Sequence, residues 1–480
     1  MVTQSSFGKC FTLMITLSVQ SACSDPGDSY PVADLDSSNN QSIANADQSA
    51  INPFFQESQL YLNYPPFDLI ENSDYLPAFE QGMVEQLEEL DAIVNQVNEP
   101  TFENTILPME VSGQLLSRVS RVFFSLAGAH TNDAIRELEQ ELAPRLAAHN
   151  DKILLNPALY ERISFLHERR GQLQLDAQSL RLLEQYDVDY VRAGAGLTVD
   201  QQEQMRSLNS QIAVLQTEYR QNVLSEVNEL AIVVDSREEL TGMSEALIAA
   251  AENEAEAREL PGKFVIPLLN TSGQPSLARL QNRALRERIY STSLSRGSRG
   301  GPYENTQILS DVLRLRAERA QLLGYSNHAA FVLDDATAGT VEAVNQRLVE
   351  LAPPAVANAQ AEAADLQQMI EDDGLDFELR AWDWSFYTER LRTARYQFDE
   401  SQLQPYFEID NVLQRGVFFA AEKLFGITFQ ERFDLPVYQE DVRVFEVFDI
   451  GGQTLALFLM DPYARPTKRG GAWMNSYISQ

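Results

Sequence analysis

Four histidines and two cysteines are all the imidazole and thiol metal ligands in this 480-residue chain. The histidines are His130, His149, His167 and His328, and none lies three, four or five residues from another. No single helix can therefore present a histidine pair to a metal ion. His167-Glu168-Arg169-Arg170-Gly171 begins like a zinc-binding H-E-x-x-H helix but has glycine where the second histidine must stand. It reads as a surface coincidence on an amphipathic helix. No catalytic residue and no metal ligand is assigned in the chain. His328, in GYSNHAAF, reads as a packed, hydrogen-bonded helix residue. No G-x-S-x-G elbow, phosphate loop or dinucleotide fingerprint occurs, and the glycines at Gly297–Gly301 follow a helix, the wrong context for phosphate.

The other chemically suggestive stretch lies near the end: Asp461, Tyr463, Arg465, Lys468, Arg469, Gly470, Gly471, Ala472 and Trp473. Two strand-like runs, Val442–Phe448 and Thr454–Met460, deliver it, joined by a turn at Gly451-Gly452. A strand edge offers unpaired N–H and C=O groups to which an extended peptide can add. Before the strands, Val412, Leu413, Val417, Ala420, Ala421 and Leu424 recur at helical spacing, which predicts one amphipathic helix from an Asp410 N-cap to a stop at Gly426.

Upstream, the apolar spacing is helical almost throughout. Leu76, Phe79, Met83, Leu87, Leu90 and Val94 predict a helix over Tyr75–Val97, broken at Asn98-Glu99-Pro100. Leu115, Val119, Val122 and Leu126 predict the next. Thr198 with Gln201 forms a capping box before a long seam of Met205, Leu208, Ile212, Leu215, Tyr219 and Val223. Short strands are expected at Leu230–Val234 and Lys263–Leu269, the second ending in a turn at Asn270–Gly273. Arg283, Arg286, Arg288, Arg296 and Arg299 stand out in an acidic chain, and three on one helix read as partners for carboxylates.

The balance of 37 basic against 70 acidic residues, net charge −33, argues against nucleic-acid binding, and no nucleic-acid partner is expected. Lys9 and the apolar Cys10–Val19, too short to span a membrane, form an export signal over residues 1–23. Ser21-Ala22-Cys23 resembles a lipoprotein cleavage box, which makes Cys23 the candidate lipidation site and the membrane contact a lipid anchor alone. Gln20 departs from the aliphatic residue usual there, so ordinary secretory cleavage stays open. Residues 24–52, rich in Ser, Asp, Asn and Gln, read as a flexible tether. A periplasmic monomer is expected, without disulfides in its body.

Trp382-Asp383, Tyr406-Phe407, Leu424-Phe425-Gly426 and the KRGGAW stretch ending at Trp473 occur together with PTFENTILPMEVSG (Pro100–Gly113), NRALRERIYSTSLSRG (Asn282–Gly297) and RAERAQLLGYSNHAAFVL (Arg316–Leu333). In this order they resemble the zinc metallopeptidases related to thimet oligopeptidase, neurolysin, oligopeptidase A and bacterial peptidyl-dipeptidase, the last branch most of all. The resemblance implies a mainly α, long-helix, two-region channel-type fold with a small β-sheet in the catalytic region. It divides the body near Pro275, into a helical domain over 53–275 and the first part of a catalytic domain over 276–480. It implies hydrolysis of short peptides, with zinc as cofactor, and places Gly470, Gly471, Ala472 and Trp473 at the edge that receives substrate backbone. The alternative is a turn that merely packs Trp473. The resemblance places the H-E-x-x-H helix beyond Gln480, so the chain is expected to be a fragment, inactive as given, that binds no zinc itself. The competing function is an inert peptide-binding or scaffold lipoprotein. Phe445, Val447, Leu455, Leu457 and Leu459 are then expected to expose one sheet face, leaving the region beyond Asn282 labile and the helices before Pro275 compact.

Overall fold

A computed structural model describes residues 52–268, 273–397 and 403–478. The export signal, Cys23, the tether and the 270–272 part of the expected turn lie outside them. The described chain is mainly helical with two small antiparallel sheets. Among the described residues no helix is long and apolar enough to cross a membrane.

Helix α1 spans Asn72–Val94 and α2 spans Gln114–Ala129. Their apolar faces meet through Tyr75, Phe79, Val119 and Phe123, all nearly water-free. Gly82 permits this close approach, because a Cβ there would lie 2.7 Å from the Leu116 backbone nitrogen. Helix α3 is Asp133–Leu154, and α4 is Val199–Glu229, opened by the expected Thr198–Gln201 capping box. The α4 seam does not stand alone: Leu208 and Ile212 pack with Leu315 of α6, Thr306–Leu322.

Strands β1 (Ile232–Val234) and β2 (Phe264–Ile266) pair antiparallel where β runs were expected. Their core takes Leu230, Ile232, Leu240 and Ile266 from before Pro275, and Leu277, Leu280, Leu285 and Ile289 from after it. Helix α5, Arg283–Leu294, belongs to this core. Helix α7 spans Val341–Asp372 and α8 spans Ala381–Tyr396.

The predicted Asp410–Leu424 helix is built differently. Glu408, not Asp410, caps it, accepting from the backbone nitrogens of Asp410 and Asn411, while Asp410 pairs with Arg443. A wide π segment, Leu413–Phe418, interrupts the α geometry between Ile409–Val412 and Phe419–Phe425. The extra residue in that turn rotates the stripe out of register. Leu413 is buried, but Val417, Leu424 and Phe425 are exposed, and Phe418 turns onto the sheet in their place. Gly426 ends the helix as expected, at φ +72°.

The second sheet has the order β3 (Thr428–Arg432), β4 (Arg443–Phe448), β5 (Thr454–Met460). Its register corrects the expectation of one exposed apolar face. Val444 faces Leu459 and Glu446 faces Leu457 across the β4–β5 pair. Val444, Leu457 and Leu459 join the α1–α2 core, whereas Phe445 packs on the opposite face against Phe418 and Phe458. Phe445 and Val447 are thus 2 % and 8 % exposed, while Phe458 on their face is 40 % exposed. Leu455 sits at an irregularity in the ladder and is half exposed. The last strands and the first helices share one core, which ties the second sheet to α1 and α2.

Candidate functional site

Strand β5 is an edge: β4 pairs along one side, and among the described residues no strand covers the other. The chain leaves it at Asp461 and crosses to the C-terminal end of α2 as an irregular strap. Backbone bonds fix the crossing. Thr131 N donates to Thr467 O at 2.9 Å, and Arg469 N donates to Gly128 O at 3.0 Å. Side chains add to them: Arg465 Nη2 reaches Ala129 O at 2.5 Å, and Asn228 of α4 donates to Pro466 O at 2.8 Å.

Asp461 is the centre of this clamp. Its carboxylate accepts from Arg465 at 2.6 Å, from Tyr438 OH at 2.9 Å and from Lys468 at 3.0 Å. The Lys468 ammonium also donates to Asp461 O and Tyr463 O. Burial pushes the Asp461 carboxyl up, but Arg465, Lys468 and Tyr438 outweigh it and hold the carboxyl at about 2. Beside it, burial and then the Arg465 charge push the His130 imidazole down, favouring its neutral form. The spacing of Asp461, Arg465 and Lys468 was visible in the sequence; Tyr438, from the β3–β4 connection, was not singled out.

The four residues singled out for substrate lie just past this clamp. Gly470, Gly471 and Ala472 are exposed, and nothing lies within 4 Å of where a Gly471 Cβ would point. Gly471 has φ +97°, a conformation that disfavours side chains. Trp473 is half-buried, and the Arg469 guanidinium stacks 4.3 Å from its ring centroid. Gly128 makes room for this arginine, since a Cβ there would come within 3.3 Å of Arg469 Nε. The strap thus combines an open glycine stretch with an anchored tryptophan.

The histidines are dispersed. His149 Nε2 lies 2.7 Å from Gln86 Oε1, and burial followed by the Lys152 charge pushes its pKa down to about 4. His167 Nδ1 lies 3.0 Å from Asp187 near the end of its helix. His328 stacks on Phe331 as a packed residue, but its Nδ1 has no hydrogen-bond partner in the protein, contrary to expectation. Among the described residues no group of three His, Cys, Asp or Glu side chains is placed to hold a metal ion.

Residues 276–480 match the sequence profile of peptidase family M3. Those residues therefore carry a peptidase family M3 domain. The dipeptidyl carboxypeptidase of Escherichia coli (strain K12) is 40% identical over 432 residues, covering 90% of this chain and 63% of that protein. Oligopeptidase A of the same organism is 30% identical over 421 residues, covering 87% and 62%. The organellar oligopeptidase A of Arabidopsis thaliana is 29% identical over 453 residues, covering 92% and 56%. The chain therefore spans 56–63% of the length of these relatives. The M3 match begins at the 3-10 turn Pro275–Ala278 and takes in α5, the second sheet and the strap. The α1–α2 helices that anchor the strap lie outside it.

Proposed function

We propose that this chain is the peptide-receiving part of a zinc-dependent M3 peptidase, an oligopeptidase or peptidyl-dipeptidase acting on short peptides. The observation that carries this is the 40% identity to a dipeptidyl carboxypeptidase along 90% of the chain. In this reading an extended peptide lies along the free edge of β5, its backbone pairing as an added strand. The glycines of the strap let the two backbones approach, and the clamp at Asp461 holds the strap still. The described donor set does not fit zinc: His149 is engaged at Gln86, His167 has only Asp187 beside it, and no group of three ligating side chains stands together among the described residues. No hydrolytic step is assigned to these residues, and zinc would supply the activated water wherever it is held.

The test is binding. A short labelled peptide is titrated into the purified chain and followed by fluorescence anisotropy. A valine at the open Gly471 position is expected to weaken binding at least about tenfold, near 1.4 kcal/mol. An unchanged affinity in Gly471→Val, or no binding by the parent chain, overturns the reading. Ala472→Glu, at an exposed position without backbone strain, separates a lost subsite from a misfolded strap.

The proposal extends to location. Ser21-Ala22-Cys23 after a short apolar run supports a periplasmic protein anchored by lipid on Cys23. Cys23→Ser is expected to move the protein from the membrane fraction to the soluble fraction. A parent chain that is already soluble and begins after Ala22 without lipid excludes the anchor.

A further inference from the structure

An open cleft of about 880 Å³ lies between α8 and the turns that precede α5, on residues that the peptidase reading leaves without a role. Arg279, Arg283, Arg286 and Arg390 line it, and Glu389 is the one carboxylate among the residues of its wall. Arg283 and Arg286 both grip Asp383, which is wholly buried behind them. Arg390 is paired with Asp373, and Glu389 is taken by Arg392 at 2.8 Å and, more distantly, by Arg279 at 3.6 Å. Among the described residues, the guanidiniums of Arg283, Arg286 and Arg390 therefore meet two carboxylates, Asp383 and Asp373, a local cationic excess in a chain of net charge −33.

The donors are not used up. A guanidinium has five N–H groups. Arg283 spends Nε and Nη2 on Asp383, and Arg390 spends Nη1 and Nη2 on Asp373. Arg286, 2 % exposed, has no hydrogen-bond partner at Nε. The wall also supplies aromatic surface. Phe377 lies 4.1 Å from the Arg283 guanidinium and Phe386 4.3 Å from that of Arg286. Such stacking holds each fork rigid and leaves its in-plane N–H edge for an acceptor.

We propose that this cleft is a binding site for a small organic anion, one carboxylate or phosphate group attached to a planar apolar body. The anionic head takes the spare guanidinium donors, and the body lies against Phe377 and Phe386. The proposal stands apart from the peptidase reading, because neither β5 nor the strap lines the cleft.

Benzoate and phenyl phosphate are the probes, with benzyl alcohol as the uncharged control, each titrated into the full chain by calorimetry. One site per chain is expected for at least one of the anions and none for the alcohol. Ala394→Phe fills the cleft from an exposed helical position without touching an ion pair, and Arg390→Gln removes one cation. Each is expected to weaken the anion at least about tenfold. Equal binding of benzoate and benzyl alcohol, an anion affinity unchanged in both variants, or no anion binding at all overturns the proposal.

Discussion

Replacing Asp383 by Ala is expected to destabilise the fold by about 3–5 kcal/mol, the usual cost of stranding a buried charge. Asp383 is fully buried at the start of α8 and holds two guanidiniums of α5. Arg283 binds it through Nε and Nη2 at 2.8–3.1 Å, and Arg286 through Nη2 at 2.8 Å. Arg286 is itself buried, so without the carboxylate its charge has only the carbonyls of Leu280 and Gln281 to face. The loss should appear as a lower urea midpoint. Burial pushes the Asp383 carboxyl up, but the bonds from Arg283, Arg286 and the Arg380 backbone win and hold it below its usual range. With a lowered folded value, its contribution is present above the unfolded carboxylate value of about 3.9 and lost as pH falls through the folded one. The parent should therefore lose stability on acidification below about pH 4, and Asp383→Ala should lose less over that window. The double variant Asp383→Leu with Arg286→Met is expected to recover part of the loss, because an apolar pair removes both charges together. A deficit under about 1 kcal/mol for Asp383→Ala would mean that the pair behaves like a solvated surface bridge.

How much of this was legible in the sequence depends on the range of the interaction. Caps and periodicity act within a few residues, so the Thr198 capping box, the glycine stop at Gly426 and strand β5 stand where local spacing put them. The expectation that arginines of α5 partner carboxylates is met by Arg283 and Arg286, while Arg288 donates to the Val233 carbonyl. Their partner lies about a hundred residues away and has no local signature. The misplaced cap near Leu413 has a tertiary cause. Glu408 and Asp410 are both able to cap, and tertiary demand from Arg443 draws Asp410 away. The exposed-face expectation failed because side-chain faces follow register, and the ladder puts Leu457 and Phe445 on opposite sides. For the candidate site, the strap residues were readable as a cluster. Their anchorage on α2 was not, since Gly128 O and Ala129 O are backbone atoms that any sequence supplies.

The same anchorage fixes what breaking the strap should do. Asp461→Asn keeps the shape of the side chain but removes the charge that Arg465 and Lys468 share, both about a tenth exposed. The Asp461 carboxyl is held at about 2 in the fold. Against an unfolded value near 3.9, that gap corresponds to about 2–3 kcal/mol at neutral pH. The sign follows from the lowered folded value: the contribution is complete above about pH 4 and fades as pH falls from about 4 toward 2. In Asp461→Asn that share of stability is absent at neutral pH, so its acid-limb slope should be shallower than the parent's. Its strap should also open locally before the helices do, because Arg465 and Lys468 lose their shared carboxylate while the α1–α2 core keeps its apolar packing. Trypsin is then expected to cut after Lys468 or Arg469 at least about tenfold faster than in the parent, which reads as about 1.4 kcal/mol of local opening. Arg145→Gln, which breaks exposed pairs on α3, should leave this rate unchanged. Cleavage that begins instead in the α1–α2 helices, or a strap cut no faster than in the parent, would place the restraint in the Gly128 and Thr131 backbone bonds alone and remove Asp461 as its centre.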